Sequence, residues 1–210
     1  MPRFLSLALV CLIAGCGTPT PKPPTSASAS APPLFNDFGD LHRDIGTPVP
    51  AAQRYFDQGL RMAYCFNHEA AGRAFAEAAR LDPRCAMCLW GQALVLGPNI
   101  NLPMDPILAA QATDLATRAV ELSANAKPGD RALIEALRVR YANPAPEDRT
   151  TLDGAYAEAM GKVVARFPGD DDAGTLFAEA LMDLTPWAYW TAAGQQTEHT
   201  PRILDALEGV

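Results

Sequence analysis

Small and apolar residues recur at helical spacing from about Val49 onward, and this periodicity restricts the fold more than any other feature of the sequence. In the stretch "AAQRYFDQGLRMAY" they fall three or four positions apart on one stripe, at Ala52, Tyr55, Phe56, Gly59, Leu60 and Ala63. Alternating apolar and polar runs are missing from the sequence, and its β-branched residues are scattered. The sequence therefore predicts an all-α body.

The helices are expected to form pairs, because small and large residues recur at fixed intervals. The first pair carries them at Tyr55, Gly59, Ala71, Phe75, Ala78 and Pro83, a spacing that resembles the tetratricopeptide repeat. Glycine and alanine let two antiparallel helices approach closely, and the large residue fills the groove between them. Weaker matches to the same repeat pattern begin near Ala86, at "DRALIEALRVRYA" and at "DAGTLFAEALMDL". We expect a tetratricopeptide-like antiparallel helix-pair solenoid over residues 49–210, rather than a closed bundle.

Residues 1–15 have the form of a secretory signal, with a basic start, an apolar run and small residues before Cys16. The stretch "LIAGC" resembles the lipobox of bacterial lipoproteins. This resemblance implies cleavage before Cys16 and a lipid on its sulfur, whereas the alternative is an ordinary signal peptide with an incidental cysteine. In bacterial lipoproteins, an Asp after the lipidated Cys favours retention in the inner membrane. This chain has Gly17 at that position, which indicates the outer membrane. The chain is expected in the cell envelope, facing the periplasm or the exterior.

Residues 16–48 are predicted to be a lipid-anchored Pro/Ser/Ala-rich linker and a short preface, with His42 at the surface. No apolar residue larger than alanine occurs in residues 17–33, so this stretch cannot bury enough surface to offset its ordering entropy. The formal net charge is -7 with both signs interspersed, which argues against nucleic acid as a partner. Contact with a membrane is expected through the lipid anchor alone.

Three longer stretches carry a closer resemblance: "FNHEAA", "AARLDPRCAMCLWGQALVLGPNINLPMD" and "LFAEALMDLTPWAYW". They are similar to a bacterial family of large secreted tetratricopeptide-repeat proteins, from about Arg54 to the end of the chain. The resemblance implies the repeat fold and brings no established activity. Members of that family continue into further repeats with more histidines. Because "TPRILDALEGV" has the pattern of a starting helix, we expect the domain to be incomplete at its C-terminus.

Four residues with metal-binding side chains lie in or beside the first helix pair. Cys65 and His68 are expected at one end of the pair, and Cys85 and Cys88 at the other. A helix of about 14 residues is roughly 20 Å long, so the four cannot share one metal ion in this fold. For the "CAMC" pair, a structural disulfide or packed thiols is favoured over a redox pair or half of a metal site. Cys65 is expected to be buried.

Several residues outside the repeat pattern fall in turns that a solenoid would stack along one edge. The polar ones are Asn67, His68, Asn99 and Asn101, and the aromatic ones are Trp187, Tyr189 and Trp190. Convergent polar groups beside aromatic residues are typical of a ligand or partner site. The alternative is that Asn and Pro serve the turns and Trp serves packing.

The sequence contains no nucleophile elbow, phosphate-binding loop or metalloprotease motif. We therefore predict a binding or assembly scaffold that engages a protein or peptide partner, with no cofactor and with the oligomeric state left open. The alternative is a metal- or cofactor-binding protein, with or without enzymatic activity. Its site would include His68 and would be completed by residues after Val210.

Overall fold

The computed structural model describes residues 31–210, and the predicted signal peptide, Cys16 and the linker up to residue 30 lie outside the described residues. The described part forms eight α-helices and a short 3₁₀ turn at Ser123–Asn125, and it contains no β-strand. The predicted all-α class is confirmed. The helices are α1 (Pro50–Tyr64), α2 (His68–Leu81), α3 (Ala86–Leu94), α4 (Pro106–Leu122), α5 (Pro128–Arg138), α6 (Thr150–Arg166), α7 (Asp171–Met182) and α8 (Thr200–Glu208).

Local sequence signals set many of these helix ends. Proline occupies a first-turn position of α1, α4, α5 and α8, where its missing N–H has no intrahelical partner. The side chains of Asn67, Asp105 and Asp170 accept hydrogen bonds from backbone N–H groups in the first turns of α2, α4 and α7. Helix α2 ends before Asp82, which precedes Pro83 and has extended backbone.

Each helix packs against the next helix along the chain, and α3 in addition contacts both α1 and α5. Phe75 on α2 shows how closely three helices approach. A Cβ atom added to Gly59 on α1 or to Gly91 on α3 would lie 2.7 Å or 2.5 Å from the ring of Phe75. Both glycines are therefore required by packing, because any side chain would overlap the ring.

The core runs continuously through the helical domain and contains large side chains from several helices. The largest buried ones include Phe56, Phe75, Trp90, Tyr156 and Met160. At the C-terminal end, α8 packs against α7, and a Cβ atom on Gly174 would lie 2.5 Å from the side chain of Val210. No helix within residues 31–210 combines the length and apolarity needed to cross a membrane.

Residues 31–48, named here the strap, contain no helix or strand and lie against α1. The hydroxyl of Tyr55 donates to the Pro32 carbonyl at 2.9 Å, and the side-chain amide of Gln58 donates to the Pro33 carbonyl at 2.9 Å. His42 forms a 2.8 Å hydrogen bond to Asp57, and its side chain is 55% exposed. The chain is thus ordered against the domain well before α1 begins.

The cysteines differ in their surroundings. Cys85 and Cys88 form a disulfide across the first turn of α3, with their Cα atoms 5.3 Å apart. Cys65 directly follows α1 and is exposed, so the expectation that it is buried is wrong. The reason is local, since Cys65 begins a sharp turn that faces solvent.

Candidate functional site

The turn between α1 and α2 places an aromatic side chain in an unusual backbone conformation. Phe66 has a φ of 57°, in the left-handed region that most residues avoid. The N–H of Asn67 donates to the Met62 carbonyl and that of Phe66 to the Ala63 carbonyl, both at 2.9 Å. This hydrogen-bond pattern is the Schellman motif, whose left-handed position usually carries glycine. The ring of Phe66 is half exposed and lies 5.6 Å from the imidazole of His68.

Two turns that are distant in sequence meet through His68 and Asn99. The side-chain amide of Asn99 lies 3.2 Å from Nδ1 of His68, and its Oδ1 accepts a hydrogen bond from the N–H of Asn101 at 2.9 Å. Because the amide oxygen is already used as an acceptor, the amide nitrogen donates to Nδ1 of His68. The imidazole is therefore the neutral tautomer that carries its proton on Nε2.

The electrostatic surroundings of His68 favour its uncharged form. Burial lowers the pKa of His68 below its ordinary value, a hydrogen bond to the Ala63 backbone partly opposes this effect, and the positive charge of Arg140 lowers the pKa further. The net effect favours the uncharged imidazole of His68. It presents a hydrogen-bonding ring rather than a cation to any group that approaches.

A cavity of about 170 Å³ lies beside His68 and Asn99. Its apolar walls come from the ends of α1 and α3, the following loop and the middle of α7: Tyr64, Phe66, Leu94, Val95, Pro98 and Leu176. Small-molecule sites usually enclose roughly 300–1,000 Å³. The cavity therefore suits one side chain of a partner better than a cofactor.

Glu179 on α7 supplies a carboxyl group to the wall of this cavity. Burial raises the pKa of Glu179, and the charge of Arg140 only partly opposes this effect. Within residues 31–210 no group donates a hydrogen bond to this carboxyl. Glu179 is thus free to bind a donor that enters the cavity.

Arg140 connects three of the turns behind the cavity. Its side chain is 1% exposed, donates to the Pro98 carbonyl at 2.9 Å and forms an ion pair with Asp183. The guanidinium also lies 4.5 Å from the centre of the Tyr156 ring. Burial raises the pKa of Asp183 to about 7 despite this ion pair. These contacts join the ends of α3, α5 and α7, and the turns after these three helices, together with the turn after α1 that lines the cavity, are named here the rim.

The three predicted aromatic residues after α7 do not line the cavity. Trp187 and Trp190 are 70% and 53% exposed, and Trp187 has a φ of 63°. The Tyr189 ring packs against the core, and its carbonyl accepts a hydrogen bond from the N–H of Thr197 at 3.1 Å. The segment is held by its own turn contacts, which keep both tryptophan rings in solvent.

The structure brings His68, Asn99 and Asn101 together, whereas the side chain of Asn67 caps α2. Sequence reasoning missed Glu179, Leu176 and Arg140. A charged residue inside the apolar run "LFAEALM" was the available signal for Glu179. Residue spacing gave no indication that α7 and the end of α1 would line the same cavity.

Within residues 31–210 no group of three or more His, Cys, Asp or Glu side chains is arranged to hold a metal ion. A metal at His68 stays a prediction of the sequence. Comparisons with protein-family models, curated proteins and solved structures give no match to this chain.

Proposed function

We propose that this protein is a lipid-anchored binding module of the cell envelope that engages a protein or peptide partner through its rim. The observation that carries the proposal is the left-handed backbone conformation of two exposed aromatic residues. Phe66 and Trp187 are the two non-glycine residues with positive φ within residues 31–210, and both rings are exposed. Each follows a helix on the rim.

A left-handed conformation costs a residue with a side chain roughly 1–2 kcal/mol, and glycine would avoid this cost. Residues in strained backbone conformations cluster at functional sites, where the strain is part of the function. About half of the Phe66 side chain and most of the Trp187 side chain lie in solvent, so burial offsets this cost only in part. Exposed aromatic residues are, however, the usual anchors of protein interfaces. The two rings and the cavity between the turns are therefore the parts that we assign to the partner.

The same proposal includes a tetratricopeptide-like arrangement of the helices. Successive packing of α1 to α8, together with the contacts of α3 with α1 and α5, supports it. In a helix-pair solenoid the first helices of successive pairs stack in this way, and their turns lie along one edge. The "LIAGC" stretch supports the envelope location, with a lipid on Cys16.

Photocrosslinking at the rim tests the proposal. A benzophenone amino acid replaces Phe66 in one variant of the full chain and Trp187 in another, in cells of the native host. The control variant carries it at Leu122, which is 37% exposed at the end of α4. We expect one crosslinked protein from both rim positions and none from position 122. A lack of any product from the rim, or equal products from all three positions, would refute the proposal.

A further inference from the structure

The strap is fixed to the domain by one arginine in an acidic site. The guanidinium of Arg43 donates to Asp130 at 3.0 Å, to Asp170 at 2.8 and 2.9 Å, and to Asp172 at 2.8 Å. The aspartates belong to α5 and to the start of α7, which are 87 to 129 residues away from Arg43 in the sequence. The hydroxyl of Tyr64 donates to Asp172 at 2.6 Å.

This site carries more negative charge than Arg43 neutralises. Burial would lower the pKa of Arg43, but hydrogen bonds to Asp170 and Asp172 and the charge of Asp130 outweigh it, and the pKa is raised. Burial raises the pKa of Asp130, whose second oxygen is buried without a partner in the described part of the chain. Removal of Arg43 would leave three clustered carboxylates, so the site requires a cation from some source.

Apart from His42, Asp44 and Thr47, whose side chains contact Asp57, Lys127 and Asp82, the strap is recognised through its backbone. Side chains on one face of α1 bind its N–H and C=O groups at 2.6–3.3 Å: Gln53, Tyr55, Asp57, Gln58 and Arg61. Because backbone groups are common to nearly all residues, a site that binds them can accept segments of many different sequences. The face of α1 and the acidic site together thus form a receptor for an extended segment that carries one arginine.

Most apolar side chains of the strap are only partly buried. Phe35, Phe38 and Leu41 are 36–47% exposed, and Ile45 is the strap residue that joins the buried core. Hydrogen bonds to the strap backbone exchange with water at small net cost, whereas the loss of Arg43 leaves negative charge that a second cation must neutralise. Release of the strap therefore removes Ile45 from the core and leaves the contacts among the helices in place.

We propose that this receptor face binds an extended, arginine-bearing segment of the partner protein, and that the strap occupies the same face in cis until the partner displaces it. The inference rests on the proposed partner-binding function and names the chemistry of the partner. Tyr64 links the two regions, since its hydroxyl contacts Asp172 while its ring lines the rim cavity. A partner that displaces the strap therefore reaches the rim as well.

A peptide competition measured on the full chain tests this inference. The probe is a fluorescent peptide of residues 31–48, and its control is the same peptide with Arg43→Ala. We expect the probe to bind the full-length Arg43→Ala variant in detergent at least tenfold more tightly than the wild-type chain, whose own strap competes. The control peptide is expected to bind that variant at least tenfold more weakly than the probe. A folded variant that does not bind the probe would overturn the inference.

Hydrogen exchange on the wild-type chain keeps the inference testable if that variant fails to fold. The amides of Phe35, Arg43 and Ile45 donate to α1 side chains and report on strap release. We expect them to exchange at least 100-fold faster than the core amides of α2. Exchange at the rate of the core would overturn the inference, as would a wild-type dimer that swaps straps. Neither result would affect crosslinking from Phe66 and Trp187, so the two proposals can fail separately.

Discussion

At the scale of single residues, replacing Phe66 with glycine is expected to raise the stability of the fold and to weaken partner binding. Phe66→Gly relieves the left-handed strain, and we expect the free energy of unfolding to rise by roughly 1 kcal/mol. The same change removes the ring beside His68, so partner capture at the rim should fall. Chemical denaturation and pull-down of the crosslinked partner measure the two effects.

Phe66→Ala is the matched control, because alanine loses the ring but keeps the strain of a side chain at positive φ. We expect it to lose partner capture without any gain in stability. If Phe66→Gly instead destabilised the fold, the ring would serve packing rather than binding.

Glu179 makes a pH-dependent prediction. A carboxyl whose pKa is raised in the folded state binds its proton more tightly there than in the unfolded chain. Its stabilising contribution is therefore complete below the unfolded pKa of about 4.3 and is lost as the pH rises through the folded pKa. Glutamine does not titrate. Glu179→Gln should leave the melting temperature nearly unchanged at pH 4 and raise it at pH 8, with each kcal/mol worth about 2–4 °C.

The control for this titration is Glu147→Gln, which removes an equal charge from an exposed position. Melting temperatures measured from pH 4 to pH 8 should show no growing difference for this variant. An equal rise at pH 8 in both variants would mean that overall charge, and not the burial of Glu179, is responsible.

At the scale of helices, close approach around Phe75 predicts opposite effects for two Gly→Ala changes. Gly91→Ala places a Cβ atom 2.5 Å from the Phe75 ring, so we expect a loss of about 1–3 kcal/mol from overpacking. Gly154→Ala, within α6, meets no atom within 4 Å and should gain up to about 1 kcal/mol from helix propensity. Thermal unfolding followed by circular dichroism distinguishes them. Equal effects would show that Phe75 does not fix the spacing of α1, α2 and α3.

The same residues show what sequence could and could not predict. Gly59 and Phe75 lie on neighbouring helices, so their spacing alone indicated a close helix pair. His68 and Asn99 were both expected in turns along one edge, and their side chains lie 3.2 Å apart. Arg43 and Asp172 are 129 residues apart, and no periodic pattern encodes such a polar contact. Glu179 was missed for the same reason, since its place in the cavity depends on α7 lying near the end of α1.

At the scale of the whole molecule, Arg140 holds the rim together. Arg140→Met would leave Asp183 buried without its partner, and loss of one member of a buried pair typically costs about 3–5 kcal/mol. Adding Asp183→Asn removes the unpaired charge, so the double variant should recover part of that loss. Urea denaturation of both variants measures the difference. A double variant no more stable than the single one would show that packing of the arginine, rather than its charge, joins the turns.

The proposed lipid on Cys16 determines where the rim operates, and it can be tested by fractionation. The net charge of -7 gives the chain no general attraction to an anionic membrane surface, so lipid alone should hold it there. Cys16→Ser alone would be ambiguous, because an uncleaved apolar signal also binds membranes. We therefore replace residues 1–15 with an ordinary cleavable signal and combine this with Cys16→Ser. The native chain should stay in the outer-membrane fraction through a high-salt wash, and the variant should be recovered in the soluble periplasm. Release of the native chain by salt would instead assign its attachment to a protein partner.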